Sequence, residues 1–274
     1  MLKTTTNKER PKIMKNTVTF KNMAFLRGRL GSALAALLLL AGTVLSSLAG
    51  VLPPSSLPYG LSYQEWSAKW WQWSLEQSTN HLEYVGYPGV CEGPGSNVRF
   101  LAGVYIPGSG GISIETNHIV VSDQNPLFLS VLSVWVDNTG CPTFTTNSVD
   151  QLVAEAVGDW SFVTVTTCTI DGVAVPGLSN PTNSVYLVQA SPFSYTTAER
   201  GNVLAAFDGD PCLGGGVTIY PAVAYGDYLM LSPLSPGKHT IHVVGVVGPE
   251  SSPFVEDNIT YDITVERGLG GFGF

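Results

Sequence analysis

The side chains that could do chemistry in this 274-residue chain do not assemble a known catalytic motif. His239 and His242 lie three residues apart on an expected strand, so their side chains point to opposite faces and cannot bind one metal ion together. The H-E-x-x-H and G-x-S-x-G patterns do not occur, and the G-x-G-x-x-G match at Gly268–Gly273 does not stand between a strand and a helix, the context that dinucleotide binding requires. A pair of carboxylates for glycoside hydrolysis leaves no spacing pattern, because its members meet only after folding. We therefore expect a non-catalytic protein, with a carbohydrate-active enzyme that uses an acidic pair as the alternative.

The segment Asp208–Pro211 is the candidate metal site of the sequence. Asp208 and Asp210 bracket a glycine, and such a pair can present oxygen ligands to calcium. The full calcium-loop pattern with its distal Glu is missing, and Asp and Gly are also ordinary turn residues. The simpler expectation is a protein without a cofactor, and calcium at Asp208 and Asp210 is the alternative.

The first 49 residues are typical of a secretory signal peptide. Eight Lys and Arg residues precede the apolar run Ala33–Leu45, and the small-x-small pattern Ser47–Ala49 follows it. A run of 13 residues is shorter than the roughly 20 that a bilayer requires. Cleavage is therefore expected, and a retained membrane anchor is the alternative. The long basic region leaves open whether translation begins at Met1, Met14 or Met23. The predicted location is extracellular, periplasmic or at the cell surface.

Removal of residues 1–49 would leave a strongly acidic chain. Five basic and 20 acidic residues remain, which gives a net charge of −15. A protein binds nucleic acids or anionic membranes through clustered Lys and Arg, which the mature chain lacks. Both are therefore excluded as its partners. Polysaccharide or another extracellular protein remains as the expected kind of partner.

The four cysteines predict two disulfide bonds in an exported protein. They are Cys91, Cys141, Cys168 and Cys212, and none forms a C-x-x-C pair. Zinc and thioredoxin-like sites therefore have no support. Four cysteines allow three pairings, of which we expect the two sequential ones, Cys91–Cys141 and Cys168–Cys212.

Four of the six tryptophans lie within eight residues of an expected helix that begins at Ser62. Ser62 and Glu65 match a capping box. Trp66, Trp70 and Trp73 share one seam of the helix with Tyr63, and we expect this seam in the core. Trp71 projects about 100° or more away from the seam, close to Leu75 one turn later. We expect a second element to cover Trp71 and Leu75; the alternative is an open face on which these two residues bind a ligand.

The rest of the chain predicts an all-β fold, an antiparallel β-sandwich of the jelly-roll or immunoglobulin-like type. In Asn258–Arg267 apolar and polar residues alternate, which is typical of a strand with one buried face. Eight or more such segments are separated by Gly/Pro turns. One further helix begins at a second capping box, Ser148 with Gln151, buries the stripe Val149, Leu152, Val153, Ala156 and Val157, and ends at Gly158.

These patterns predict the organisation of the chain. Residues 50–61 form an extended segment, 62–266 a single sandwich domain, and 267–274 a Gly/Phe tail. The tail G-L-G-G-F-G-F is expected to be a loose terminus. The alternative is self-assembly, in which the tail adds a strand to the exposed edge of a neighbouring molecule.

Several motifs resemble, in the same order, a family of uncharacterised, secreted bacterial proteins. They are the E-W-S-A-K-W-W-Q-W helix at Glu65–Trp73, the P-L-S-P-G-K-H-T-I stretch at Pro233–Ile241 and the Y-D-I-T-V strand at Tyr261–Val265. The resemblance covers most of residues 59–265 and implies secretion, but it carries over no catalytic residue. The strand at Pro233–Ile241 also resembles those of immunoglobulin-like domains, which is an analogy of fold.

Overall fold

A computed structural model describes residues 50–78, 89–93, 96–102, 112–139, 145–178, 180–208 and 213–268. The predicted signal peptide therefore lies outside the described residues. The strands are β1 (Val51–Leu52), β2 (Gly89–Gly93), β3 (Ser96–Leu101), β4 (Ile112–Ser122), β5 (Leu127–Asp137), β6 (Val163–Ile170), β7 (Val173–Ala174), β8 (Leu187–Gln189), β9 (Phe193–Thr196), β10 (Thr218–Leu231), β11 (Gly237–Val247) and β12 (Val255–Glu266). The helices are α1 (Tyr63–Leu75), α2 (Val149–Trp160) and α3 (Val203–Asp208).

The strands form two sheets. Sheet 1 has the order β1-β10-β5-β3-β2, with β8 and β9 also paired to β10, and sheet 2 has the order β4-β12-β11-β6-β7. The all-β, two-sheet prediction is confirmed. The prediction of purely antiparallel pairing is wrong, because β3 pairs parallel with β5 and β4 pairs parallel with β12. Both parallel pairs join strands that are distant in sequence or connected by a crossover, so no hairpin pattern could reveal them. The jelly-roll or immunoglobulin-like assignment stays a prediction.

The alternation predicted for the last strand is present in β12. Ile259, Tyr261, Ile263 and Val265 are buried, and the residues between them point outward. The buried set packs against the inner face of sheet 1, where Leu129 and Leu229 are fully buried. Burial of apolar side chains from both sheets holds the sandwich together, at about 25 cal/mol per Å².

Helix α1 covers the opposite face of sheet 1. Its capping box is formed, with Ser62 Oγ accepting from the N–H of Glu65 and the Glu65 carboxylate accepting from the N–H of Ser62. The helix packs its aromatic side chains on outward residues of β3, β5 and β10, including Phe100, Phe128 and Tyr228. Sheet 1 is therefore covered on both faces.

Helix α2 closes one end of the sandwich against β5 and β10. Its capping box at Ser148 is also formed. The helix continues beyond the predicted end at Gly158 to Trp160, whose buried indole N–H donates to the carbonyl of Pro181 at 3.0 Å. This tertiary contact outweighs the weak helix propensity of glycine. Val157 was predicted to be buried but is 44% exposed. Within the described part of the chain, no helix combines the length and the apolar character that crossing a membrane requires.

Candidate functional site

Three of the four tryptophans of α1 lie in the core, and their indole N–H groups are bonded there. The indole N–H groups of Trp66, Trp70 and Trp71 donate to Pro58 O, Leu101 O and the Tyr228 hydroxyl, at 2.8, 2.9 and 2.8 Å. Buried indoles normally need such a partner. The seam prediction is confirmed for Trp66 and Trp70, whereas Trp73 is only partly buried.

The candidate binding pair Trp71 and Leu75 is buried, with 8% and 2% exposure. The Trp71 ring lies 5.1 Å from that of Trp70 and 5.0 Å from that of Trp135 on β5. A second segment, around β9, also holds the helix, because Gln72 Nε2 donates to Ser194 O at 2.6 Å. The helix is therefore sandwiched as expected. The open-face alternative is wrong, and with it the assignment of Trp71 and Leu75 as binding residues.

Most of the predicted calcium-binding segment, Asp208–Pro211, lies outside the described residues. Asp208 is the last residue of α3, its side chain is not among the described ones, and Asp210 lies outside the described residues. Within the described ranges, no group of three or more His, Cys, Asp and Glu residues could hold a metal ion. Calcium at Asp208 and Asp210 stays a prediction.

Cys168 is the cysteine whose side chain the structure describes, and it carries a free thiol. The side chain points from β6 into the core between the sheets, and burial raises the pKa of the thiol to about 12. The free thiol disagrees with the predicted Cys168–Cys212 bond. Cys141, Cys212 and the side chain of Cys91 lie outside the described residues, so the Cys91–Cys141 bond stays a prediction.

Sheet 2 has an outer face formed by the outward residues of β4, β12, β11 and β6, which we call the open face. The registers place Thr116, Thr260, His242 and Thr169 side by side across the four strands. Along β4 the side chains of Ile114 and Val120 are 66% and 59% exposed. The open face is therefore a surface that carries hydroxyl and imidazole groups, with exposed aliphatic side chains along one border.

The described histidines on sheet 2 all have polar partners. His118 Nδ1 lies 3.4 Å from the Asp262 carboxylate on the open face, and His242 Nε2 lies 2.8 Å from Asn258 Oδ1. His239 Nδ1 lies 2.7 Å from the carboxylate of Asp171, at the turn after β6. The sequence argument that His239 and His242 cannot share a metal ion agrees with these separate partners.

An acidic pair lies on the inner face of sheet 2, on two strands that the sequence could not pair. Glu115 on β4 and Asp257 on β12 both follow the inward alternation of their strands and are partly exposed. Burial, and to a lesser extent the charge of Glu115, raises the pKa of Asp257 to about 6. Asn117, two residues after Glu115, is fully buried, and its amide atoms have no hydrogen-bond partner within the described residues. This end of the interior is therefore polar and carries a carboxyl group that can hold a proton near neutral pH.

Asp227 on β10 is a third inward acid, and it is fully buried. Burial raises the pKa of its carboxyl group to about 6, although the nearby hydroxyls of Ser184 and Thr166 lower it. Thr166 Oγ1 donates its hydrogen to Leu178 O at 2.9 Å, so it cannot also donate to the carboxylate. Neither Asp227 oxygen meets hydrogen-bond geometry with a partner in the described part of the chain, so the hydroxyls of Ser184 and Thr166 act on it only as nearby dipoles. Nothing in the sequence around Asp227 marks this placement, because it depends on which face of β10 meets sheet 2.

Comparison of the chain with protein-family models, with curated proteins and with solved structures gives no match. No activity and no site residue therefore comes to this chain from a relative, and its functional surfaces are defined by its own geometry.

Proposed function

We propose that this is an exported, non-catalytic protein that binds a neutral, hydroxylated ligand such as a polysaccharide through the open face of sheet 2. The observation that carries the proposal is the unequal cover of the two sheets. Sheet 1 has α1 on one side and sheet 2 on the other. Sheet 2 has a covered inner face and an outer face on which rows of Thr, His, Asn and Asp side chains reach the surface. The signal-peptide pattern and the resemblance to secreted bacterial proteins support export.

The chemistry of the open face fits a neutral ligand better than a charged one. Hydroxyl, amide and imidazole groups both donate and accept hydrogen bonds, as sugar hydroxyls require. The net charge of −15 expected for residues 50–274 repels polyanions over the distance that salt leaves unscreened. The exposed aliphatic border at Ile114 and Val120 offers apolar contact beside the polar rows.

A glycan-binding screen tests the proposal, with reducing-sugar release measured on the same polysaccharides. Thr260→Lys places a long charged side chain at the centre of the open face and should abolish binding. Thr182→Lys changes the charge equally in an exposed loop outside sheet 2 and should bind as the wild type does. Equal binding by both variants would refute the open face as the site. Capture of an extracellular protein in place of a glycan would refute the ligand class but not the surface.

The acidic pair favours a second candidate, a carbohydrate-active enzyme. Glycosidases use one protonated and one ionised carboxyl group. The raised pKa of Asp257 next to Glu115 is the observation in favour of such a division. If the protein releases reducing sugar, and if Asp257→Asn and Glu115→Gln each abolish the release, the enzyme replaces the binding protein as the better proposal.

A further inference from the structure

Strand β4 is an edge strand of unusual length and regularity. Its 11 residues pair with β12 in one unbroken parallel register, from Ile112 with Glu256 to Ser122 with Glu266. On its other side, no strand of the described chain pairs with it. Among the described strands, none occupies the main-chain donors and acceptors of that edge, to which a further strand could pair.

β4 carries few of the features that keep edge strands from pairing. Natural edges are commonly interrupted by Lys, Pro or a bulge. β4 contains no Lys, Arg or Pro and has no bulge against β12. Glu115 points inward, and an inward charge is a feature that disfavours edge pairing. Ile114 and Val120 point outward and are 66% and 59% exposed. The edge is therefore long and regular, and its outward row combines these two aliphatic residues with Thr116 and His118.

The chain leaves the sandwich beside the end of this strand. The N–H of Asp123, the residue after β4, donates to Glu266 O at 2.9 Å. The N–H of Gly268 then donates to Asp123 Oδ1 at 2.8 Å. The sequence that follows, Leu269–Phe274, ends with Phe272 and Phe274 separated by one glycine. In an extended segment these two rings point to the same face.

The reach of the chain disfavours pairing of this tail with its own β4. From β12, the tail would have to pass over the end of β4 to its far edge, about two strand spacings or roughly 10 Å. Such a crossing takes about three residues at roughly 3.4 Å each, which would leave about half of Gly268–Phe274 to pair. A tail from a second molecule can use all seven residues, and in extended form these span about the length of Ile114–Val120.

We propose that the tail Gly268–Phe274 of one molecule adds as a strand to the edge of β4 in a second molecule, with the rings of Phe272 and Phe274 on the side of the outward β4 residues. Main-chain hydrogen bonds give such a strand its affinity, and alternate side chains give it specificity. Each molecule carries both the donor tail and the acceptor edge. The contact is therefore head-to-tail and can extend into a chain or close into a ring. The proposal does not depend on ligand binding at the open face.

Sedimentation velocity of the chain from residue 50 onward, over a wide range of protein concentrations, tests the proposal. The wild type should form dimers and longer species. Truncation after Arg267 and the edge variant Ile114→Lys/Val120→Lys should each raise the dissociation constant at least tenfold. Val185→Lys is the matched control, because Val185 is 63% exposed outside β4, and it should associate as the wild type does.

Two further measurements distinguish the proposed tail of a second molecule from the other strands that could pair with β4. A labelled peptide with the sequence of residues 268–274 should bind the truncated protein and fail to bind the edge variant. Association that survives truncation would mean that β4 edges pair with one another, which would overturn the proposal. A monomeric wild type whose melting temperature falls on truncation would mean that the tail pairs within its own molecule, which would also overturn it.

Discussion

Replacing Asp227 by Asn should stabilise the protein, and the gain should grow as the pH rises from 4 to 8. The carboxyl group is fully buried, and its oxygens have no hydrogen-bond partner within the described residues. Burial raises its pKa from 3.8 to about 6. Because one pKa unit corresponds to about 1.4 kcal/mol, the ionised group costs the folded state about 3 kcal/mol.

The sign of the pH dependence follows from proton linkage. Between pH 4 and 6 the folded state binds the Asp227 proton more tightly than the unfolded state does. The free energy of unfolding therefore decreases as the pH rises through this window. The cost is small below about pH 4 and nearly complete above about pH 7. Asn has no proton to lose in this range, so the variant lacks this part of the pH dependence.

Urea unfolding followed by tryptophan fluorescence at pH 4, 5, 6, 7 and 8 measures the effect. A constant cost of burying the Asn amide cancels when the variant–wild-type difference at pH 8 is compared with that at pH 4. Asp257, whose pKa is also raised to about 6, is present in both proteins and cancels as well. The expected change in this difference is about 2.5 kcal/mol, because about 0.5 kcal/mol of the full cost of about 3 kcal/mol is already present at pH 4.

Asp159→Asn is the matched control, because it makes the same chemical change at an exposed position of α2. The reasoning about Asp227 is wrong if its variant behaves like the control, with a difference from wild type that stays within about 0.5 kcal/mol across the range.

Trp71→Ala should lower the free energy of unfolding by about 3–5 kcal/mol, nearly as much as Trp70→Ala, because both rings are buried and both indole N–H groups are bonded; a Trp71 variant as stable as wild type in urea would contradict this. The raised pKa of the Cys168 thiol, about 12, and its burial predict that iodoacetamide at pH 8 modifies it only after unfolding; mass mapping that finds the label on native protein would refute this. Gly245→Ala should destabilise by about 1–3 kcal/mol, because an added Cβ would lie 2.8 Å from a leucine side chain of β5. Gly158→Ala, with open space at its Cβ position, is its control and should not lower the urea midpoint.

The features that the sequence predicts correctly are those that local periodicity determines. The alternation of β12 depends on a two-residue repeat, and the capping boxes at Ser62 and Ser148 depend on a three-residue spacing. The angle of Trp71 around α1 is also local, and it shows that the helix has two apolar faces. Which elements cover those faces is not local, because β9 and β10 lie more than 100 residues further along the chain.

The acidic sites are invisible in the sequence for the same reason. Glu115 and Asp257 come together only through the parallel pairing of β4 with β12. Asp227 is buried only because its side of β10 faces sheet 2. Each residue on its own looks like one of the many acids of an acidic chain. The fold therefore determines which of these carboxyl groups are removed from water and have a raised pKa.

The polar end of the interior also bears on the free edge of β4. The inward residues in the first half of this strand, Ser113, Glu115 and Asn117, are polar, whereas those in its second half, Ile119 and Val121, are apolar and buried. The first half therefore gains less from the hydrophobic core than the second half does. A strand added to the free edge would supply hydrogen bonds where side-chain burial contributes least. The burial pattern of β4 and its open edge thus both favour a further strand at this position.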